Sequence, residues 1–396
     1  MKENGINKCY KIAWVLYLIY LIERPLLNRR SLDVFVMVVL TLILFWGVII
    51  NLRLFNFRDI IPFVIIGIVI IASLFYSGGN ITLSLAKAVF CFFATYLLMV
   101  TTSKSIISKQ TFDFIFICSI IASFIFIIYY FTPIAYVAND SKGEKYISEG
   151  FTCNLGNPNY TGIVLFVFFV ILLINLRVRK NKLLIAVLAS CLLYLIWQTK
   201  SRACLISVAV VVLFFVIFSL KQSGRPIKVN TKIIILFLLI PVLFIWLYLG
   251  LYYSGFKNIE VMNKSLFSGR EVTYIEYLEN ISDVGEVLIG NVFKTQFNNA
   301  HNGPLAIYTS IGIIGLISVY VICIRSINRI NKGTWIASIC ILCILGVFIH
   351  ASVEAAFLVG GISSIVGLNS LFFLSSYNEK GFNNRINTNQ NTYKSL

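Results

Sequence analysis

His301 stands where the polar stretch of "NNAHNGPLAIYTSIGIIGL" (298–316) gives way to an apolar run, and the chain holds only one other histidine. A ring that titrates near neutral pH suits proton transfer there, and it equally suits an interfacial residue with a wet tip. Arg270, in "SLFSGREVTYIEYLENI", falls in the first turn of a predicted surface helix. A cation there does not complement the helix dipole, but it adjoins backbone N–H groups that can share an anion. Pairing with a nearby glutamate is the alternative. Lys200 and Arg202, in "IWQTKSRACLISV", occupy a tight turn between two apolar runs. Lys87 lies inside another run, "ITLSLAKAVFCFFATYLL". Charges so close to hydrocarbon are costly and tend to mark ligand sites, unless they snorkel to lipid phosphates. His350 and Glu354, in "GVFIHASVEAAFL", are spaced to share one helical face, as a functional pair or as a structural hydrogen bond.

The elements that must position these side chains are membrane spans. The 396 residues are 59% hydrophobic and only 12% charged, with a mean hydropathy of +0.88, which excludes an ordinary soluble domain. Apolar runs long enough to cross a bilayer recur throughout. They predict an all-α polytopic membrane protein of about twelve transmembrane helices, at 11–22, 31–50, 59–76, 81–100, 112–131, 160–176, 183–198, 203–220, 232–251, 304–323, 334–350 and 355–374. The chain reads as a single integral membrane domain, 1–396, with a disordered cytoplasmic tail at 376–396. The net charge of +17 follows topology rather than nucleic acid. With both termini cytoplasmic, roughly two-thirds of the Lys and Arg lie on inner segments, although "ERPLLNRR" dissents. The nine cysteines fall mostly inside apolar runs, show no metal spacing and are not expected to form disulfides.

Two outer connections are long, 133–159 and 252–303, and loops of that length usually carry function. In the second, between the ninth and tenth spans, Ser268 and Glu271 have capping-box spacing. Tyr274, Leu278 and Ile281 recur at helical period, predicting a short helix on the outer membrane boundary.

His301-Asn302 followed by Gly312 and Gly315 resembles the histidine-glycine signature of the O-antigen ligase and polymerase superfamily. "GNPNYTG" opening a span, "TKSRA" in a tight outer turn and "SGREVTY" early in the long loop resemble the same superfamily, in the same order, over roughly residues 150–355. One departure is Tyr274, where the family often has tryptophan.

The resemblance implies a C-type, inverting, metal-independent glycosyltransferase with no cofactor. Its donor and acceptor would be oligosaccharides on polyprenyl diphosphate, met at the outer face of a bacterial cytoplasmic membrane. A chain-length regulator and a flippase would be possible partners. Without a D-x-D motif, the leaving diphosphate needs Arg202 and Arg270 as clamps, with Lys87 and Lys200 assisting. His301 would take the proton of the attacking hydroxyl, with Asn302 and Glu354 beside it in the catalytic group. Tyr274 would support the loop, and Gly312 and Gly315 would let helices approach closely and fix the height of the histidine. Three functions compete: a polymerase of O-antigen or capsule repeat units, a ligase passing finished polymer to lipid A core, and a flippase or transporter. The apolar mid-spans and the elaborate outer loops favour the first two over a transporter.

Overall fold

The computed structural model describes residues 5–27, 30–78, 81–139, 145–220, 228–256, 260–261, 264–265, 269–279, 281–295, 297, 301–355 and 358–377. Ser268, and with it the expected capping box, lies outside them, as does the expected tail from 378 onward.

The chain is all-α, 81% helical. In order the helices are α1 (Gly5–Leu27), α2 (Arg30–Ile50), α3 (Phe57–Ser77), α4 (Leu83–Lys104), α5 (Lys109–Tyr130), α6 (Pro158–Val178), α7 (Lys182–Gln198), α8 (Arg202–Leu220), α9 (Thr231–Tyr253), α10 (Arg270–Glu279), α11 (Val284–Ile289), α12 (Val292–Thr295), α13 (Gly303–Ile330), α14 (Trp335–His350) and α15 (Asn369–Leu374), the last led in by a π-turn at Ser364–Leu368. Two short antiparallel hairpins decorate the long connections. Among the described residues, six helices are long and apolar enough to cross a membrane, and five shorter apolar helices accompany them. Large apolar side chains such as Phe35, Trp46, Phe75 and Trp246 stay exposed on helix flanks, as a lipid-facing surface requires.

Polar caps set where many of these helices begin. Asn56 and Asp59 make a capping box on α3, and Thr82, Ser108, Asn157, Asn302 and Thr334 each accept a backbone N–H of the helix they precede. Helix α6 is apolar all round and buried along nearly its whole length, so it forms the central pillar. At one end of the bundle, Asp59 of α3 is buried between Lys104 of α4 and Arg329 of α13. The functional candidates lie at the other end.

Three expectations are corrected. The apolar run expected at 11–22 lies inside a longer helix, α1 (Gly5–Leu27), whose polar start is satisfied. Buried Asn7 donates to the Ile106 carbonyl and accepts from the Ser108 N–H. The last helix begins near 362 rather than 355. Ahead of it, residues 351–355 and 358–361 form a mostly buried, non-helical strap. Gly360 adopts φ 94°, and a Cβ there would stand 2.9 Å from the Cys91 backbone of α4.

The third correction concerns the long loop, only part of which is a surface helix. Its later half descends into the bundle, where Phe297 stacks on Phe92 of α4 at 4.5 Å and Ser73 of α3 bonds both the Gly290 carbonyl and the Val292 N–H.

That descent is tied to a break in α13. Ile311 and Gly312 leave helical geometry, with Gly312 at φ 63°, ψ −174°. A Cβ on Gly312 would fall 2.2 Å from the Leu288 carbonyl oxygen, so this glycine admits the last turn of α11 rather than a neighbouring span. Gly315 makes room for Ile311 of its own helix instead. On a straight helix Asn302 and Tyr320 would be about 27 Å apart. Their side chains instead reach the Pro241 and Leu238 carbonyls, less than one turn apart on α9. The arm before the break is therefore turned aside. Gly312→Ala is expected to lower the Tm of the solubilised protein, by strain of roughly 1–3 kcal/mol or more. Gly67→Ala, whose Cβ meets nothing within 4 Å, should leave it nearly unchanged.

Candidate active site

The turned arm of α13 carries Asn302 to the middle of α9. His301 sits just before that arm, with its side chain 39% exposed. The His301 backbone is left-handed, with φ 52°, a strained conformation that histidine adopts more readily than most residues. Its neighbours hold it there. Tyr274 of α10 is fully buried and donates its hydroxyl to the carbonyls of His301 (3.1 Å) and Ser352 (2.9 Å). Burial pushes the Tyr274 phenol well up, so it stays a donor. The Gly303 N–H donates to the Ala351 carbonyl at 2.8 Å, fastening the strap to the arm.

Asn302 is part of this fastening. Its Oδ1 caps α13 at the Leu305 N–H, and its Nδ2 donates to the Pro241 and Ser352 carbonyls. Both amide hydrogens are spent within the fold.

The imidazole of His301 is partly exposed, and its Nδ1 lies 4.0 Å from Oε2 of Glu354, a carboxylate that is 1% exposed. The same Oε2 accepts from Nδ2 of Asn157 at 3.0 Å, while Asn157 Oδ1 caps α6 at the Tyr160 N–H. Burial lowers the His301 pKa; Glu354 opposes that shift and Arg270 adds to it. The ring is thus neutral at pH 7 and able to accept a proton. His350 and Glu354 do not share a helical face, because α14 stops at His350. His350 bonds the Asn159 backbone instead.

Arg270 begins α10 and hydrogen-bonds the Tyr248 hydroxyl. It makes no ion pair with Glu271, Glu276 or Glu279 among the described residues. Its field reaches Arg202, Tyr274, His301 and His350, which gathers these groups at one place. Arg202 begins α8 and is half-buried. Two neighbouring guanidiniums repel one another, and an anion between them relieves that repulsion. Arg202, Arg270 and Gly303 stand in the first turns of α8, α10 and α13, whose backbone N–H groups can share an anion.

Lys200 is exposed in its turn at φ 54°, two residues before Arg202, and Lys87 is half-buried on α4, where its charge acts on Cys91. Sequence reasoning missed Asn157 as a partner of Glu354, Ser352 as the shared carbonyl, and Tyr248 as the rest for Arg270. The signal for Asn157 was its place one residue before a proline that starts an apolar run. None of the protein-family models, curated proteins or solved structures compared with this chain matches it.

Proposed function

We propose that this protein is a metal-independent, inverting glycosyltransferase that polymerises polyprenyl-diphosphate-linked repeat units of an O-antigen or capsular polysaccharide. In this reading it crosses a bacterial cytoplasmic membrane about twelve times, with both termini inside and His301 opening outward. One observation carries the proposal: a neutral histidine beside a buried carboxylate lies within the field of Arg270, which also acts on Arg202, so the two cations repel one another. Such a group can take the proton of an attacking hydroxyl and stabilise a departing diphosphate at once. Arg202 and Arg270 would hold the diphosphate, and His301 would deprotonate the acceptor hydroxyl as its oxygen displaces the lipid diphosphate at the anomeric carbon.

The test is a gene deletion read on a polysaccharide gel. A polymerase mutant in a lipopolysaccharide-bearing host with its own ligase should still cap single repeat units onto the core, giving a one-repeat band. Long chains accumulating on the lipid carrier above a bare core would instead identify a ligase. Absence of any lipid-linked unit at the outer face would point to a flippase.

A further inference from the structure

Glu354 is buried, yet among the described residues it receives a single hydrogen bond, from Asn157 Nδ2, and its Oε1 has no partner. The oxygen that Asn157 engages is the same one that lies 4.0 Å from His301 Nδ1. A carboxylate held by one donor can rotate away unless that donor fixes it. Asn157 is itself fixed, because its other amide atom caps the central pillar α6. We propose that Asn157 is the positioning residue that holds Glu354 against the Nδ1 side of His301, leaving Nε2 as the proton acceptor. This deepens the reading of His301 as the base and rests on it.

The physical logic is that of a relay of orientation. The α6 N-terminus orients Asn157, Asn157 orients Glu354, and Glu354 selects the Nδ1–H tautomer of His301. The 4.0 Å separation is about 1 Å longer than a hydrogen bond, so the pair would have to tighten in the substrate complex. Of the other charged or titratable groups, Arg270 of α10 acts on the ring directly and Tyr274 of α10 bonds the His301 carbonyl. Tyr248 of α9, His350 of α14 and Arg202 of α8 are linked to the same Arg270. Of the groups acting on His301, Glu354 alone favours its protonated form, so releasing that carboxylate has a direction.

The experiment uses the fact that the chain has only two histidines. Histidine-labelled full-length protein in nanodiscs gives two imidazole signals by nitrogen NMR, and His301→Ala identifies one of them by its loss. Asn157→Ser and Asn157→Thr both keep an N-cap for α6 but lack the amide that reaches Glu354. In both, His301 should titrate at lower pH than in the unmodified protein and lose its single tautomer. Binding of undecaprenyl diphosphate, used as the probe, should be unchanged. Turnover should fall on the order of 10-fold or more, less than for loss of the base itself. An unchanged His301 midpoint and tautomer in both variants overturns the proposal. Failure of both capped variants to fold would make the contact structural and overturn it too. If the NMR changes appear but the unmodified protein transfers no glycan, the positioning stands and the glycosyltransferase reading fails.

Discussion

His301→Ala is expected to abolish polymer while the protein still inserts and accumulates. Loss of a positioned base removes on the order of 10² to 10⁴ in rate. The contacts that fasten this region, Tyr274 to the His301 carbonyl and Asn302 to α9 and to the strap, use backbone atoms or neighbouring side chains. The left-handed backbone at His301 is tolerable for alanine at a cost of about 1 kcal/mol. Immunoblotting of membranes should therefore show normal abundance beside an absent ladder, and a variant with normal polymer length and yield would remove His301 from the mechanism. The pH dependence has a definite sign. The base acts in its neutral form, and the His301 pKa lies below the usual 6.5. The rate should stay flat near neutrality and fall only as pH drops through that lowered value. A fall already complete at neutral pH would contradict the burial argument.

The fold was legible in the sequence wherever hydrophobicity alone decides. From α2 to α14 the apolar runs fall within a few residues of the helices formed, except that α13 runs on to Ile330. Where polar groups buy their place through distant partners, the pattern misled. Asn7, near the start of α1, is satisfied only by the distant α4–α5 turn, and the helix expected from 355 begins near 362, beyond the Gly360 contact with α4. Composition signalled the importance of the site but not its wiring. Arginines beside apolar runs and a histidine at a polar boundary stand out in one dimension. That Asn302 spends its amide on α9 and that Tyr274 grips a carbonyl are consequences of one helix break at Gly312 and one buried strap, both set by long-range contacts.

Arg270→Lys and Arg202→Lys should each keep the protein folded and leave it poorly active, by on the order of 10² to 10³ in rate for one lost stabilising donor. The charge survives in both variants, so the loss would have to come from geometry. A guanidinium presents a planar fork that matches two phosphate oxygens, whereas an ammonium is a compact point charge on a flexible stem. The two positions also differ in what surrounds them. Arg270 rests on the Tyr248 hydroxyl at the start of α10, so lysine there gives up a support as well as a fork. Arg202 is anchored by the first turn of α8, and its substitution leaves that rest intact. Arg270→Lys should accordingly be the more damaging, and the double variant should cost less than the product of the two single losses, because both act on one ligand. Initial rates with a lipid-diphosphate-linked repeat unit, paired with binding of undecaprenyl diphosphate alone, separate transition-state stabilisation from simple attraction. Full activity in both lysine variants would mean that the arginines merely steer anions toward the site, and the diphosphate clamp would be abandoned.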